Sequence, residues 1–330
     1  MSVLITGGCG YIGSHMVWEL HDSGESVVVI DNLSTGFDWV LPKDVPLVVG
    51  DIGDQALVGQ VIRDHGVNAI IHFAGSIVVP DSVTDPLGYY FNNTVKSRGL
   101  IEEAVSAGVN SFIFSSTAAV YGIPDTDSPI AEDMPLQPIS PYGSSKLMTE
   151  IMLRDAAFAY PDFNYTALRY FNVAGADPKG RAGQSTPRAT HLIKVANQTA
   201  LGDRSHMDVF GTDYNTPDGT CVRDYIHVSD LAKAHALALA RLRDGGDSLV
   251  ANCGYGHGYS VLQVLEAVKR ASGVDFAVNY VDRRAGDPPS LVANSERAGS
   301  VLGWEPSHAD LDLIVETALS WERMLLQKHT

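Results

Sequence analysis

A doubly wound α/β fold, with a parallel sheet and a smaller, mixed C-terminal lobe, is predicted by three observations. Short apolar runs alternate with helical segments through the first half of the chain. A glycine-rich turn joins the first apolar run to the first helical one, and the second apolar run ends in an acid. After Asn172 the periodicity fades, and Gly, Pro and Arg cluster through residues 175–188. The first two describe a Rossmann-type half, and the third marks passage into a less regular lobe.

Each element follows from local pattern. Val3-Leu4-Ile5 reads as a buried strand, and Thr6-Gly-Gly-Cys-Gly-Tyr-Ile-Gly13 follows at once. A helix then runs from Ser14 to His21 and stops at Gly24, and the strand Ser26 to Ile30 leads into Asp31. Further strands are expected near 46–49, 68–73, 111–115 and 165–169, with helices between them, including Val95 to Ala107 and Tyr142 to Ala159. Ser140-Pro141 marks the start of the latter, Ser as N-cap and Pro in the first turn. Val222 to Arg243 reads as strand then helix, and Leu249 to Cys253 as a strand. The expected division is 1–172 for a nucleotide domain and 173–330 for a substrate domain, with parts of 222–253 returning to the first.

The turn carries two overlapping glycine patterns. Gly8, Gly10 and Gly13 fit G-x-G-x-x-G, whereas Gly7, Gly10 and Gly13 fit a wider spacing. Either lets the backbone approach a pyrophosphate at a helix N-terminus. Asp31 can accept from the adenosine ribose hydroxyls and would repel a ribose phosphate, so NAD is expected over NADP.

Tyr142 and Lys146 stand four apart, on one face of one helix. Alone, such a pair reads as a surface pair. A neighbouring ammonium can instead lower a phenol from about 10 toward neutrality, and the phenolate can then take a proton from a sugar or alcohol hydroxyl. Thr117 leaves the end of the run Ser111-Phe-Ile-Phe-Ser-Ser-Thr, where ligands bind in open α/β sheets. Its hydroxyl is either an ordinary turn group or a hydrogen-bond partner for the reacting oxygen.

At 330 residues and 45% hydrophobic content the chain can bury a large core. A formal charge of −16 argues against nucleic-acid or acidic-membrane partners. Cys9, Cys221 and Cys253 have neither paired nor metal-like spacing and read as buried thiols, and no metal is expected. With no apolar run of spanning length and a first strand at the start, a cytoplasmic protein is expected.

Over nearly its whole length the chain resembles the extended short-chain dehydrogenase/reductase superfamily, and within it the UDP-galactose 4-epimerases. The likeness runs through Thr6–Gly13, His72-Phe-Ala-Gly75, Phe114–Gly122, Ser140-Pro-Tyr-Gly143 and Leu168-Arg-Tyr-Phe-Asn172. Its most specific blocks are Asp218-Gly-Thr-Cys-Val-Arg-Asp-Tyr-Ile-His227 and Arg284-Ala-Gly-Asp287. The resemblance implies NAD-dependent interconversion of UDP-glucose and UDP-galactose through a 4-keto intermediate, in a homodimer that keeps its cofactor. It implies Tyr142 as base, Lys146 as its tuner and ribose ligand, and Thr117 beside the sugar oxygen.

Around the cofactor the resemblance points to Gly7, Gly10, Tyr11, Ile12, Gly13, Asp31, Asn32, Asp51, Ile52, Phe73, Ala74, Gly75, Asn93, Ser115 and Tyr170. Around the substrate it points to Asn172, Leu192, Phe210, Arg223, Arg284, Asp287 and Leu291. Arginine forks match phosphate oxygens, so Arg223 and Arg284 suit a UDP diphosphate, although a surface Arg is as readily a solvated charge. Leu291 falls where the family places a gate beside the hexose, so weaker use of UDP-N-acetylhexosamines is expected; as an ordinary core residue it would carry no such role. Ile77 stands where many members have Lys, and His191 where some relatives have Asn. Two rivals are a nucleotide-sugar 4,6-dehydratase and a catalytically silent NAD-binding regulator. The dehydratase usually has Asp-Glu directly after the active-site Thr, where this chain has Ala118-Ala119.

Overall fold

A computed structural model describes residues 1–125, 128–186, 189–284 and 287–329. Among them, seven parallel strands form one sheet: β1 (Ser2–Thr6), β2 (Val27–Asp31), β3 (Leu47–Val49), β4 (Val67–His72), β5 (Ser111–Thr117), β6 (Asn164–Tyr170) and β7 (Leu249–Cys253). Their spatial order is β7-β6-β5-β4-β1-β2-β3, so the order reverses between β1 and β4, where open sheets bind ligands. Ile5 sits opposite Val29 on one side and Ile71 on the other.

Both faces are covered, which is why β1, β2 up to its terminal Asp31, and β5 are apolar or small without alternation and buried throughout. On one face Val3, Ile5, Val29 and Ile113 meet Met16 and Leu20 of the helix Tyr11–Asp22 and Leu231 and Ala238 of the helix Val228–Arg243. On the other, Leu4, Ile30, Phe112 and Phe114 meet Val58 and Ile62, Leu100 and Ala104, and Leu153. The second lobe packs helices Leu192–Ala200, Val261–Ser272 and Leu311–His329 around the strand pair Met207–Phe210 and Val278–Val281. After that excursion the chain does re-enter the sheet, with β7 pairing to β6.

Local departures from the expected elements have physical causes. The first helix begins at Tyr11 rather than Ser14, because Gly10 serves as its N-cap. β5 extends to Thr117, since Ser116 and Thr117 stay paired with Arg169 and Tyr170. The expected helix Val95 to Ala107 is preceded by a wide π-type turn, Tyr90–Val95, and runs from Lys96 to Ser106. The wide turn carries Asn93, whose buried amide bonds both backbone groups of Ser76 and the Ser145 hydroxyl. All three cysteines are free and buried. No described helix is long and apolar enough to cross a membrane.

Candidate active site

The carboxyl ends of β1, β2, β4, β5 and β6 deliver the site residues to one edge of the sheet. At β1 the glycine turn is folded too tightly for side chains. Gly7 has φ +70° and a Cβ there would lie 2.6 Å from the Ala74 nitrogen, while one on Gly13 would lie 2.1 Å from the Gly7 carbonyl. A Cβ on Gly10 would meet only that carbonyl, at 3.2 Å. No side chain caps the helix that starts there, so its first N–H groups remain available to an anion.

Asp31 ends β2 with its carboxylate held from both sides. Cys9 N donates to one oxygen at 2.9 Å and Leu33 N to the other at 2.8 Å. Each oxygen keeps a lone pair for a ribose hydroxyl. Leu33 adopts φ +56°, alone among the described non-glycine residues, and that amide bond supports the strained turn. Together the closed turn, uncapped helix and oriented carboxylate fit a dinucleotide.

Other expected cofactor residues divide by what they already bond. Asp51 accepts from Gly53 N at 2.8 Å and from Lys96 Nζ at 2.6 Å. Burial works against its charge, yet the Lys96 and Gly53 bonds keep its carboxyl below the usual range. Asn32 reaches Asp51 at 3.4 Å, and Ile52 is buried beside it. Phe73 and Ala74 N both donate to the Thr6 carbonyl, which draws the segment through Gly75 over the turn. Tyr11 uses its hydroxyl on the Gly175 carbonyl at 2.6 Å, and Ile12 packs on the core. Asn93 has both amide hydrogens engaged within the protein, so the structure uses it to lock residue 76 to the helix Pro141–Ala159. Ile77 is exposed.

Tyr142 and Lys146 lie on the helix Pro141–Ala159, capped by the Ser140 hydroxyl. Both are buried, as is Thr117. Burial raises the Tyr142 phenol above its ordinary pKa, and the Thr117 hydroxyl, hydrogen-bonded to it, opposes that rise. Lys146 is anchored on the neighbouring strand. Its Nζ donates to the Ser115 carbonyl at 3.0 Å over the Phe114 ring, and burial pulls it down to about 8. Tyr142 and Lys146 share one helix face, and the ammonium also holds the end of β5. Ser115 and Tyr170 join their hydroxyls beside it, and burial raises the Tyr170 phenol.

A cleft lined by Tyr11, Asn172, Gly175, His191 and Leu192 joins the glycine turn to the second lobe. Asn172 is exposed, with its backbone N–H on the Asp224 carbonyl at 3.0 Å. His191 precedes the helix Leu192–Ala200 and approaches Gln184 at 3.3 Å; burial lowers its imidazole to about 4, so it is neutral. Arg223 and Asp287 come together at 3.8 Å, and Arg223 also donates to the Val222 and Pro288 carbonyls. Arg284 lies over the Phe210 ring at 4.2 Å. Between Arg284 and Asp287 the expected motif passes through residues 285 and 286, outside the described residues. Leu291 pairs with Arg223 in register and packs against the cluster of Ala118, Val120 and Tyr121 that follows Thr117.

Residues 3–254 match the model of the NAD dependent epimerase/dehydratase family. The chain belongs to this family. It is 58% identical over 325 residues to a UDP-glucose 4-epimerase of Azospirillum brasilense, covering 98% of this chain and 93% of that one. A UDP-glucose 4-epimerase from Brucella ovis, solved in complex with NAD, superposes with a TM-score of 0.94 at 43% identity, covering 97% and 98% of the two chains. The UDP-Glc/GlcNAc 4-epimerase of Campylobacter jejuni follows at TM-score 0.86 and 47% identity, covering 98% and 99%.

Some of the partners gathered around these residues carry no mark in the sequence. Lys96 is a solitary lysine until folding sets it against Asp51, and Leu33 is an improbable residue for a left-handed turn. Glu150 and Arg169 have opposite charges 19 residues apart, with no spacing to announce that they meet.

Proposed function

We propose that this chain catalyses the reversible 4-epimerisation of UDP-glucose and UDP-galactose. The observation that carries the reading is the convergence of Thr117, Tyr142 and Lys146 at the ends of β5 and its neighbours, in a chain that matches UDP-glucose 4-epimerases end to end. NAD supplies the hydride acceptor and donor when bound. Tyr142 removes the proton of the sugar 4-hydroxyl and later returns it, while Thr117 holds the phenol and the reacting oxygen in one line of hydrogen bonds. Lys146 has donors left beyond the Ser115 carbonyl, and these suit ribose hydroxyls.

The turn Gly7–Gly13, the Asp31 carboxylate and Asp51 hold the cofactor in this reading, with Phe73 to Gly75 along its groove. Arg223, Arg284, Asp287 and Asn172 take the UDP portion, Phe210 offers a ring to the base, and Leu192 lines the way in. Residues 1–172 form the nucleotide domain and 173–330 the substrate domain, with the helix Val228–Arg243 and β7 belonging to the first by their packing. A cytoplasmic location and a place in carbohydrate metabolism as a maker or consumer of UDP-galactose complete the proposal.

Incubating the purified chain with UDP-galactose, without added cofactor, and following UDP-glucose by a coupled assay tests both the reaction and cofactor retention. UDP-glucose is expected, with NAD or NADH released on denaturation. A 6-deoxy-4-keto sugar would indicate the dehydratase, no product the silent regulator. The residues Ala118 and Ala119 after Thr117 favour the epimerase, since they offer no acid for elimination.

Leu291 is proposed as the gate beside the hexose. Leu291→Cys should raise activity on UDP-N-acetylglucosamine relative to UDP-galactose, and Leu291→Tyr should abolish the former. An unchanged ratio in both variants assigns Leu291 to the core instead.

A homodimer is also proposed. Leu87, Phe91 and Val95, spaced four apart, stand exposed near Met148, Ile151 and Phe158 of the helix Pro141–Ala159. Six apolar side chains on adjoining helical elements suit a twofold four-helix contact. Light scattering at micromolar concentration should give twice the 35.4 kDa chain mass, and a single-chain mass would contradict the dimer.

A further inference from the structure

One buried ionic cluster takes no part in the chemistry proposed above. Glu150 lies one helical turn past Lys146 on the helix that carries Tyr142. Its carboxylate accepts from Arg169 Nε at 3.0 Å and from Nη2 at 2.6 Å, a bidentate fork, and also from the Ser116 hydroxyl. The remaining guanidinium nitrogen donates to Tyr121 Oη at 3.0 Å, and Tyr121 donates to Asn252 at 2.7 Å. Every one of these residues is at most 5% exposed.

The cluster brackets Thr117. Ser116 precedes it on β5 and reaches Glu150, while Thr117 at the strand's end reaches Tyr142, eight residues earlier on the same helix. Tyr121 follows the short turn Ala118–Val120 that Thr117 caps. The ion pair, its carboxylate on Ser116 and its guanidinium on Tyr121, therefore ties down the chain on both sides of Thr117. Buried ion pairs are poor contributors to net stability, because desolvation offsets their attraction. Their rigid, planar geometry does fix distances between the elements that carry them.

We infer that Glu150 and Arg169 are positioning residues for the reaction, setting the Thr117 hydroxyl against the Tyr142 phenol. The inference rests on the reading of Tyr142 as the base. Its signature is coupling: the cluster should matter only while the Thr117 hydroxyl is present to be positioned.

Two alterations test this in the full chain with its bound cofactor. Ser116→Ala removes one tie and leaves every charge paired. Glu150→Met with Arg169→Met removes both charges together. Each is made in the natural sequence and in a Thr117→Ala background, and kcat and KM are measured for UDP-galactose. In the natural background kcat should fall about tenfold or more with KM little changed, because small misplacements of reacting groups carry losses up to about a hundredfold. In the Thr117→Ala background the same alterations should lower kcat less than about twofold, since residues acting through one contact are not additive. Equal losses in both backgrounds, or a change in KM alone, would overturn the inference. If the double methionine variant does not fold, the Ser116→Ala pair decides by the same criterion. A natural chain that forms no UDP-glucose defeats the reaction reading itself, whereas an active natural chain with fully active variants defeats only the positioning role.

Discussion

Tyr142→Phe is expected to lower kcat for UDP-galactose by about 10²–10⁴-fold, the usual loss when a general base is removed. The substitution deletes one hydroxyl and keeps the ring, which is buried on the helix Pro141–Ala159. Neither the glycine turn nor Asp31 touches that hydroxyl, so bound NAD measured after denaturation should stay near the level of the unaltered chain. Thr117 loses a partner but remains anchored, because its hydroxyl also accepts from Ala119 N at 3.1 Å. The check is single-substrate kinetics alongside nucleotide content. Turnover within about tenfold of the unaltered chain would assign the proton to another group.

Glu322→Leu is expected to cause a large loss of stability in the second lobe. Glu322, on the helix Leu311–His329, meets Lys194 at 2.7 Å, and both side chains are buried at 8% and 7% exposure. Lys194 also donates to the Gln184 carbonyl at 2.8 Å, so the pair joins the segment around Gln184 to two helices. Removing the carboxylate strands a buried ammonium, which costs about 3–5 kcal/mol. Replacing Lys194 with Met as well should recover most of that loss, because a packed apolar pair of similar volume is close to neutral. Urea unfolding of the three proteins measures this, through a midpoint shift at constant slope. A single variant destabilised by less than about 1 kcal/mol would show that water reaches the ammonium and that the pair is not buried in solution.

What the sequence by itself determined were the features whose cause is local. The glycine turn, the acid after β2, the capped start Ser140-Pro141 and the four-residue spacing of Tyr142 and Lys146 depend on neighbours a few residues away. Backbone sterics and helix period make them legible in one dimension. The doubly wound sheet followed from alternating apolar runs for the same reason, including the return of Leu249–Cys253 to it. Only the tertiary structure decided which distant groups meet. It set Lys96 against Asp51, Arg169 against Glu150 and Lys194 against Glu322, and it gave the Lys146 ammonium the Ser115 carbonyl as a partner. It also bound Asn93 into the scaffold and extended β5 to Thr117. Such contacts arise because desolvated charges and amides must find partners wherever the fold brings donors and acceptors within reach, and sequence separation carries no trace of that requirement.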